Sequence, residues 1–93
     1  MTVKLKIGRE IYNIDENDMI LDNGATYQVV TKEIRRGWSL YSPQMSKTLF
    51  KKLFQCGLIY TNEELENLAA RRYTVKGCVL YKFNVVKMLE FGY

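Results

Sequence analysis

Ten carboxylates, two thiols and not one histidine are what this chain offers for chemistry. Without an imidazole it lacks the commonest general base, the usual partner of a nucleophilic serine or cysteine, and the commonest metal ligand. Cys56 and Cys78 stand 22 residues apart with no second cysteine pair, so a structural zinc site within one chain would be short of its four ligands. Both read as core thiols, because free cysteine behaves as a small buried hydrophobe. The run Asp15-Glu16-Asn17-Asp18 has the start of a cation loop. Met19 and Ile20, however, occupy the places where an EF-hand needs an oxygen ligand and a glycine. A solvated loop is the expectation. Asp15, Glu16, Asp18 and Asp22 would then share one exposed region, with no burial to separate their pKa values as paired acid–base catalysis requires. The six glycines stand singly at turn positions, and none forms a phosphate-cradling loop ahead of a helix. The expectation is no enzyme, no cofactor and no metal.

Charge segregation is the feature that remains. The net charge of +4 conceals alternating blocks. Residues 1–9 carry three positive charges; residues 10–33 hold six acids against Lys32; residues 34–60 carry five positive charges and no acid. Residues 61–70 hold three acids, and residues 71–93 return to a net +4. Such a dipolar molecule presents a basic side to phosphate backbones or to an acidic protein surface. The candidate partner-binding residues are Arg35, Arg36 and Trp38, then Lys47, Lys51 and Lys52, then Arg71, Arg72 and Lys76. Arginine and tryptophan are enriched at binding hot spots, and Tyr41 and Tyr73 could add stacking. Plainer roles stay open for the same residues: lysines also solvate the outer face of an amphipathic helix, and a lone tryptophan beside a turn also fits a core.

The elements that must position these residues are short and closely joined. Val3, Leu5 and Ile7 alternate with lysines, and Ile11 and Ile14 follow Gly8-Arg9, which predicts two strands and a tight turn. Met19 to Leu21 reads as a short strand, Asp22-Asn23-Gly24 as a turn, and Thr26 to about Ile34 as a further strand rich in β-branched and aromatic residues. Arg35-Arg36-Gly37 would turn the chain into a strand from Trp38 to Tyr41. Ser42 and Pro43 predict the start of a helix that ends at Gly57, with Met45, Leu49, Leu53 and Cys56 on its buried stripe and Phe50 and Phe54 widening it. Thr61 with Glu64 has the spacing of a capping box, and acids early with Arg71 and Arg72 late suit the macrodipole of a second helix. Val75, Val79, Tyr81, Phe83 and Val85 alternate around Gly77 as in a hairpin. Residues 84–91 fit a strand or a helical turn equally.

Ninety-three residues make one domain, 1–93. Strands, then helices, then strands predict an α+β fold: a small antiparallel sheet of N-terminal strands and a C-terminal hairpin, packed with two central helices at about 43–56 and 62–72. A winged helix is not expected, because Trp38 to Tyr41 reads as strand where a helix-turn-helix needs its first helix. The first residues lack the apolar core of a secretory signal, and no apolar run approaches the ~20 residues that cross a bilayer. A soluble protein of the bacterial cytoplasm, with no membrane partner, is expected. Phe, Tyr, Met, Ile, Asn and Lys total 36 residues against 15 for Gly, Ala, Arg and Pro, the bias of AT-rich codons.

In size and texture the chain looks like the small accessory proteins of phages and mobile elements, including anti-CRISPR-type inhibitors. That likeness implies a non-enzymatic protein that inhibits or modulates a larger host protein or nucleoprotein complex handling nucleic acid. Imitation of nucleic acid is not expected from a basic chain. The alternative is direct DNA or RNA binding by a small regulator or accessory protein.

Overall fold

Alternation at the N-terminus produces a hairpin. In the computed structural model, which describes residues 1–30, 43–73 and 77–93, β1 (Thr2–Ile7) pairs antiparallel with β2 (Glu10–Asp15). Gly8 makes the turn at φ 65°, a left-handed conformation that glycine adopts without steric cost. Val3, Leu5, Ile7 and Ile14 are buried, while Lys4 and Lys6 stay exposed. The expectation of one sheet is corrected. The hairpin forms a two-stranded sheet of its own, and a second, five-stranded antiparallel sheet follows.

That second sheet contains β3 (Met19–Asp22), β4 (Tyr27–Val30), β5 (Gln44–Met45), β6 (Ile59–Tyr60) and β7 (Val79–Phe83), in the order β5-β4-β3-β7-β6. β3 lies at its centre, opposite β4 on one side and β7 on the other. The first strand of the expected C-terminal hairpin, around Val75, lies outside the described residues; β7 pairs with β3 and β6, and Val85, expected at the hairpin's end, begins a helix instead. β7 carries Leu80 to one face and Phe83 to the other, both buried, as suits a strand with a packed layer on each side.

Each sheet face has its own apolar layer. Met19, Leu21, Val30 and Leu80 pack with Leu65 and Ala69 of helix α2 (Glu63–Arg72). On the other face Ile20, Val29, Met45, Ile59 and Phe83 join the buried side chains of the β1–β2 hairpin. Phe50 and Leu53 of helix α1 (Lys47–Gln55) and Val85 and Met88 of helix α3 (Val85–Phe91) complete that larger core. The protein is thus a small α+β fold, with three helices and two antiparallel sheets among the described residues.

Helix boundaries follow side-chain chemistry more finely than expected. α1 does not begin at Ser42 and Pro43. The Pro43 carbonyl accepts from Val29 N–H at 2.9 Å, so the chain there extends the sheet through β5, and Ser46 becomes the cap by accepting from Leu49 N–H at 3.2 Å. α2 is capped by Asn62 and not by Thr61: Asn62 Oδ1 accepts from Leu65 N–H at 3.0 Å, whereas Thr61 Oγ1 is buried with no hydrogen-bond partner among the described residues. Asparagine ranks above threonine at this position. Residues 84–91 settle as helix because Asn84 caps them, accepting from Lys87 N–H at 3.1 Å. Gly92, at φ 110°, closes the helix, with Tyr93 N–H donating to Met88 O and Gly92 N–H to Leu89 O, a Schellman ending.

The acidic loop is not wholly solvated. Asp18 is buried, and its Oδ2 accepts from Asp15 N–H at 3.0 Å. Asp15 Oδ1 accepts from Asn17 N–H at 2.7 Å, so these acids shape the turn into β3. Both cysteines are half-buried free thiols rather than fully buried ones. Cys56 packs against the larger core and Cys78 against the smaller. No helix among the described residues is long and apolar enough to cross a membrane.

Candidate docking surface on the first helix

α1 carries three lysines and no acid in KTLFKKLFQ. Its geometry sorts them. Lys47, Phe50, Lys51 and Phe54 follow the i, i+3, i+4, i+7 spacing of one helix side, next to the side that buries Leu53. Thr48, Lys52 and Gln55 are exposed on the far side, so Lys52 is set apart from Lys47 and Lys51. The buried stripe is also narrower than expected: Phe50 is 7% exposed, but Phe54 is 52% exposed.

Beneath that side lies an aromatic group supplied by the sheet. Phe50 stacks on Tyr27 with ring centroids 4.0 Å apart and meets Tyr81 edge-on at 5.1 Å. Phe54 extends the group, 6.2 Å from Phe50 and 6.1 Å from Tyr81. Sheet register explains why the tyrosines converge. Tyr27 is opposite Asp22, and Tyr81 is opposite Ile20, two residues along β3 on the same face. Burial, first, and then the nearby Asp22 carboxylate and Tyr27 raise the Tyr81 phenol above its ordinary pKa.

Beside Tyr27 the surface opens into a cleft of about 220 Å³ lined by Asp22, Thr26, Tyr27, Gln44, Met45 and Lys47, with the Gly24-Ala25 turn at its rim. Asp22 Oδ1 accepts from Gly24 N–H at 2.9 Å. Asn23 holds the same turn, its Oδ1 accepting from Ala25 and Thr26 N–H at 3.0 and 2.8 Å. The cleft therefore has a fixed polar rim, an aromatic wall and one ammonium. At the other end of α1, Lys87 of α3 reaches Gly57. Its Nζ lies 2.7 Å from where a Cβ on that glycine would stand, which adds a cation at the negative end of the α1 dipole.

The sequence-predicted set is only partly gathered. Lys47 and Lys51 share a side of α1 with the aromatic group. Arg71 and Arg72 are exposed in the last turn of α2, and α2 packs on the opposite face of the five-stranded sheet. They belong to a separate surface. Tyr73 is half-buried against the α2 core instead of standing beside α1. Arg35, Arg36, Trp38, Tyr41 and Lys76 lie outside the described residues, as does the strand expected from Trp38 to Tyr41. Sequence reading missed Asp22, Tyr27, Gln44 and Tyr81 as neighbours of the basic helix. The only signal for them was the period-two alternation that puts Tyr27 with Val29 and Tyr81 with Phe83 on one strand face. Among the described residues no group of three or more metal-ligating side chains forms. Comparison with protein-family models, with curated proteins and with solved structures found no match to this chain.

Proposed function

We propose that this chain is a non-enzymatic binding protein that modulates a larger nucleic-acid-handling protein or nucleoprotein complex, with the Lys47–Lys51–Phe54 side of α1 as its contact. The observation that carries this reading is Lys47 in the first turn of a helix with no acid in that turn. A cation there opposes the helix macrodipole, so Lys47 does nothing for the helix that holds it. Phe54, half exposed two turns further along the same helix side, is the kind of aromatic residue that binding surfaces favour. Affinity capture from a low-GC bacterial lysate, with and without nuclease, tests the reading. Capture of a specific complex that Lys47→Glu/Lys51→Glu abolishes and Arg71→Glu/Arg72→Glu preserves supports it; capture indifferent to both pairs refutes this surface.

One observation favours the alternative of direct nucleic-acid contact. Two lysines and an exposed aromatic ring on one helix side match the phosphate-plus-stacking chemistry of single-strand binders. In that case affinity for an oligonucleotide falls with salt, and each lost phosphate contact lowers the slope by roughly 0.7 on single strands. No binding at low salt to either duplex or single strand removes this second reading.

A further inference from the structure

The cleft beside Tyr27 deepens the second reading, direct nucleic-acid contact by α1, and rests on it. Its chemistry is mixed in a useful way. Lys47 contributes a cation at one edge, Tyr27 an aromatic wall, and Asp22 a carboxylate with Gln44 and Thr26 near it. A carboxylate repels phosphate, so the centre of the cleft is no anion site. What a fixed carboxylate does accept is an N–H donor, and the exocyclic amines of cytosine and adenine are such donors. Thymine and uracil present a carbonyl at the equivalent position and keep only a ring N–H between two carbonyls, so seating them against Asp22 brings a carbonyl oxygen close to the carboxylate.

Position along α1 completes the picture. Lys47 and Phe54 are seven residues apart, about 10 Å along the axis, with Lys51 between them on the same side. A cleft at one end, a half-exposed ring at the other and a cation between them suit neighbouring bases of one strand. They do not suit a duplex, where stacked and paired bases expose neither face.

We propose that the cleft seats one amino-bearing nucleobase of a single-stranded nucleic acid, its exocyclic amine donating to Asp22, while Lys47 and Lys51 hold the flanking phosphates and Phe54 stacks on an adjacent base. Asp22 is then a specificity residue, and the lysines carry affinity without sequence preference.

The test is fluorescence-anisotropy binding of short oligo(dC), oligo(dA) and oligo(dT) at low salt. The full chain is compared with Asp22→Asn and Lys47→Glu/Lys51→Glu. Asparagine keeps an Oδ1 that can accept from Gly24 N–H, so the turn survives, and a thermal melt matching the parent checks this. Wild type is expected to favour oligo(dC) and oligo(dA) over oligo(dT) by roughly tenfold. Asp22→Asn should shrink that ratio towards one, because an amide can donate to the thymine carbonyl as well as accept. The double lysine variant should weaken all three oligonucleotides alike. Equal affinity of wild type for the three, or a preference that Asp22→Asn leaves unchanged, overturns the cleft assignment. If the lysine variant still weakens binding in that event, nucleic-acid contact by α1 stands without the cleft. If wild type binds none of them, that contact falls too.

Discussion

α1 and α2 have similar lengths and cover opposite faces of the same sheet, yet they use charge in opposite ways. α2 begins with Glu63, Glu64 and Glu66 and ends with Arg71 and Arg72, so its acids meet the positive end of the dipole and its arginines the negative end. Every charge on α2 has a reason inside α2. α1 has no acid in its first turn and places Lys47 there instead. Lys51 gains nothing from a partner four residues away, because no acid stands on the helix, and of the three lysines only Lys52, in the last turn, suits the dipole. The contrast teaches that basic residues equally prominent in the sequence are not equal candidates. Arg71 and Arg72 suit the dipole of their own helix, whereas Lys47 opposes the dipole of its helix, which is why the proposed contact is placed on α1.

The largest effect that would sharpen this comparison is in the α1 interface itself. Leu53 is fully buried and Phe54 is half exposed, although they are adjacent in sequence. Leu53→Ala is expected to destabilise the protein by about 2–5 kcal/mol. Phe54→Ala should cost no more than about 1 kcal/mol, from lost ring contacts, while impairing binding. Chemical denaturation of the two variants checks this, and equal destabilisation would mean that Phe54 is a core residue after all.

A smaller effect separates the helices by sign. Lys47→Glu puts an acid at the start of α1 and should leave stability unchanged or raise it by a few tenths to about 1 kcal/mol. Arg72→Glu puts an acid at the end of α2 and should lower stability by a similar amount. Thermal melts at low ionic strength would show shifts in opposite directions. Shifts of the same sign would break the comparison.

The smallest effect concerns Tyr81, under α1. Its pKa is raised in the folded protein, first by burial and then by Asp22 and Tyr27, and the ordinary value of 10.0 applies once the chain unfolds. The unfolded chain therefore loses its phenolic proton first, and the stability associated with the protonated phenol is complete below pH ~10 and lost as pH rises through the folded pKa. Tyr81→Phe should reduce the alkaline loss of stability relative to the parent. An identical decline in both proteins would mean that Tyr81 does not contribute to it.

Much of this contrast was legible in the sequence, because it rests on local patterns. The alternation of Val3, Leu5 and Ile7, the ends of α1 and α2 at Gly57 and Arg72, and the acid-to-base gradient of α2 all depend on residues a few positions apart. What stayed hidden depends on distant pairing or on competition between close alternatives. Pro43 looked like a first helical residue until β4 offered its ladder to the same segment. Thr61 and Asn62 were both plausible caps, and the better one won. Period-two alternation could mark β1, β2 and β7 as strands without showing that the first two form a sheet of their own. The convergence of Asp22, Tyr27 and Tyr81 beneath α1 depends on the antiparallel registers of β3 with β4 and β7, which no local window contains. Helical spacing placed Phe54 beside Phe50, but not how far the fold would cover each ring: Phe50 is buried and Phe54 half exposed.

The most direct test of the central claim, that the lysines of α1 and not the arginines of α2 carry the contact, is the salt dependence of oligonucleotide affinity in three proteins. These are the parent, Lys47→Glu/Lys51→Glu and Arg71→Glu/Arg72→Glu. The account predicts that the α1 pair lowers the slope of log affinity against log salt by roughly 1.4, at about 0.7 per phosphate contact, and that the α2 pair leaves the slope at the parental value. Equal losses from the two pairs, or a loss confined to the α2 pair, would contradict it.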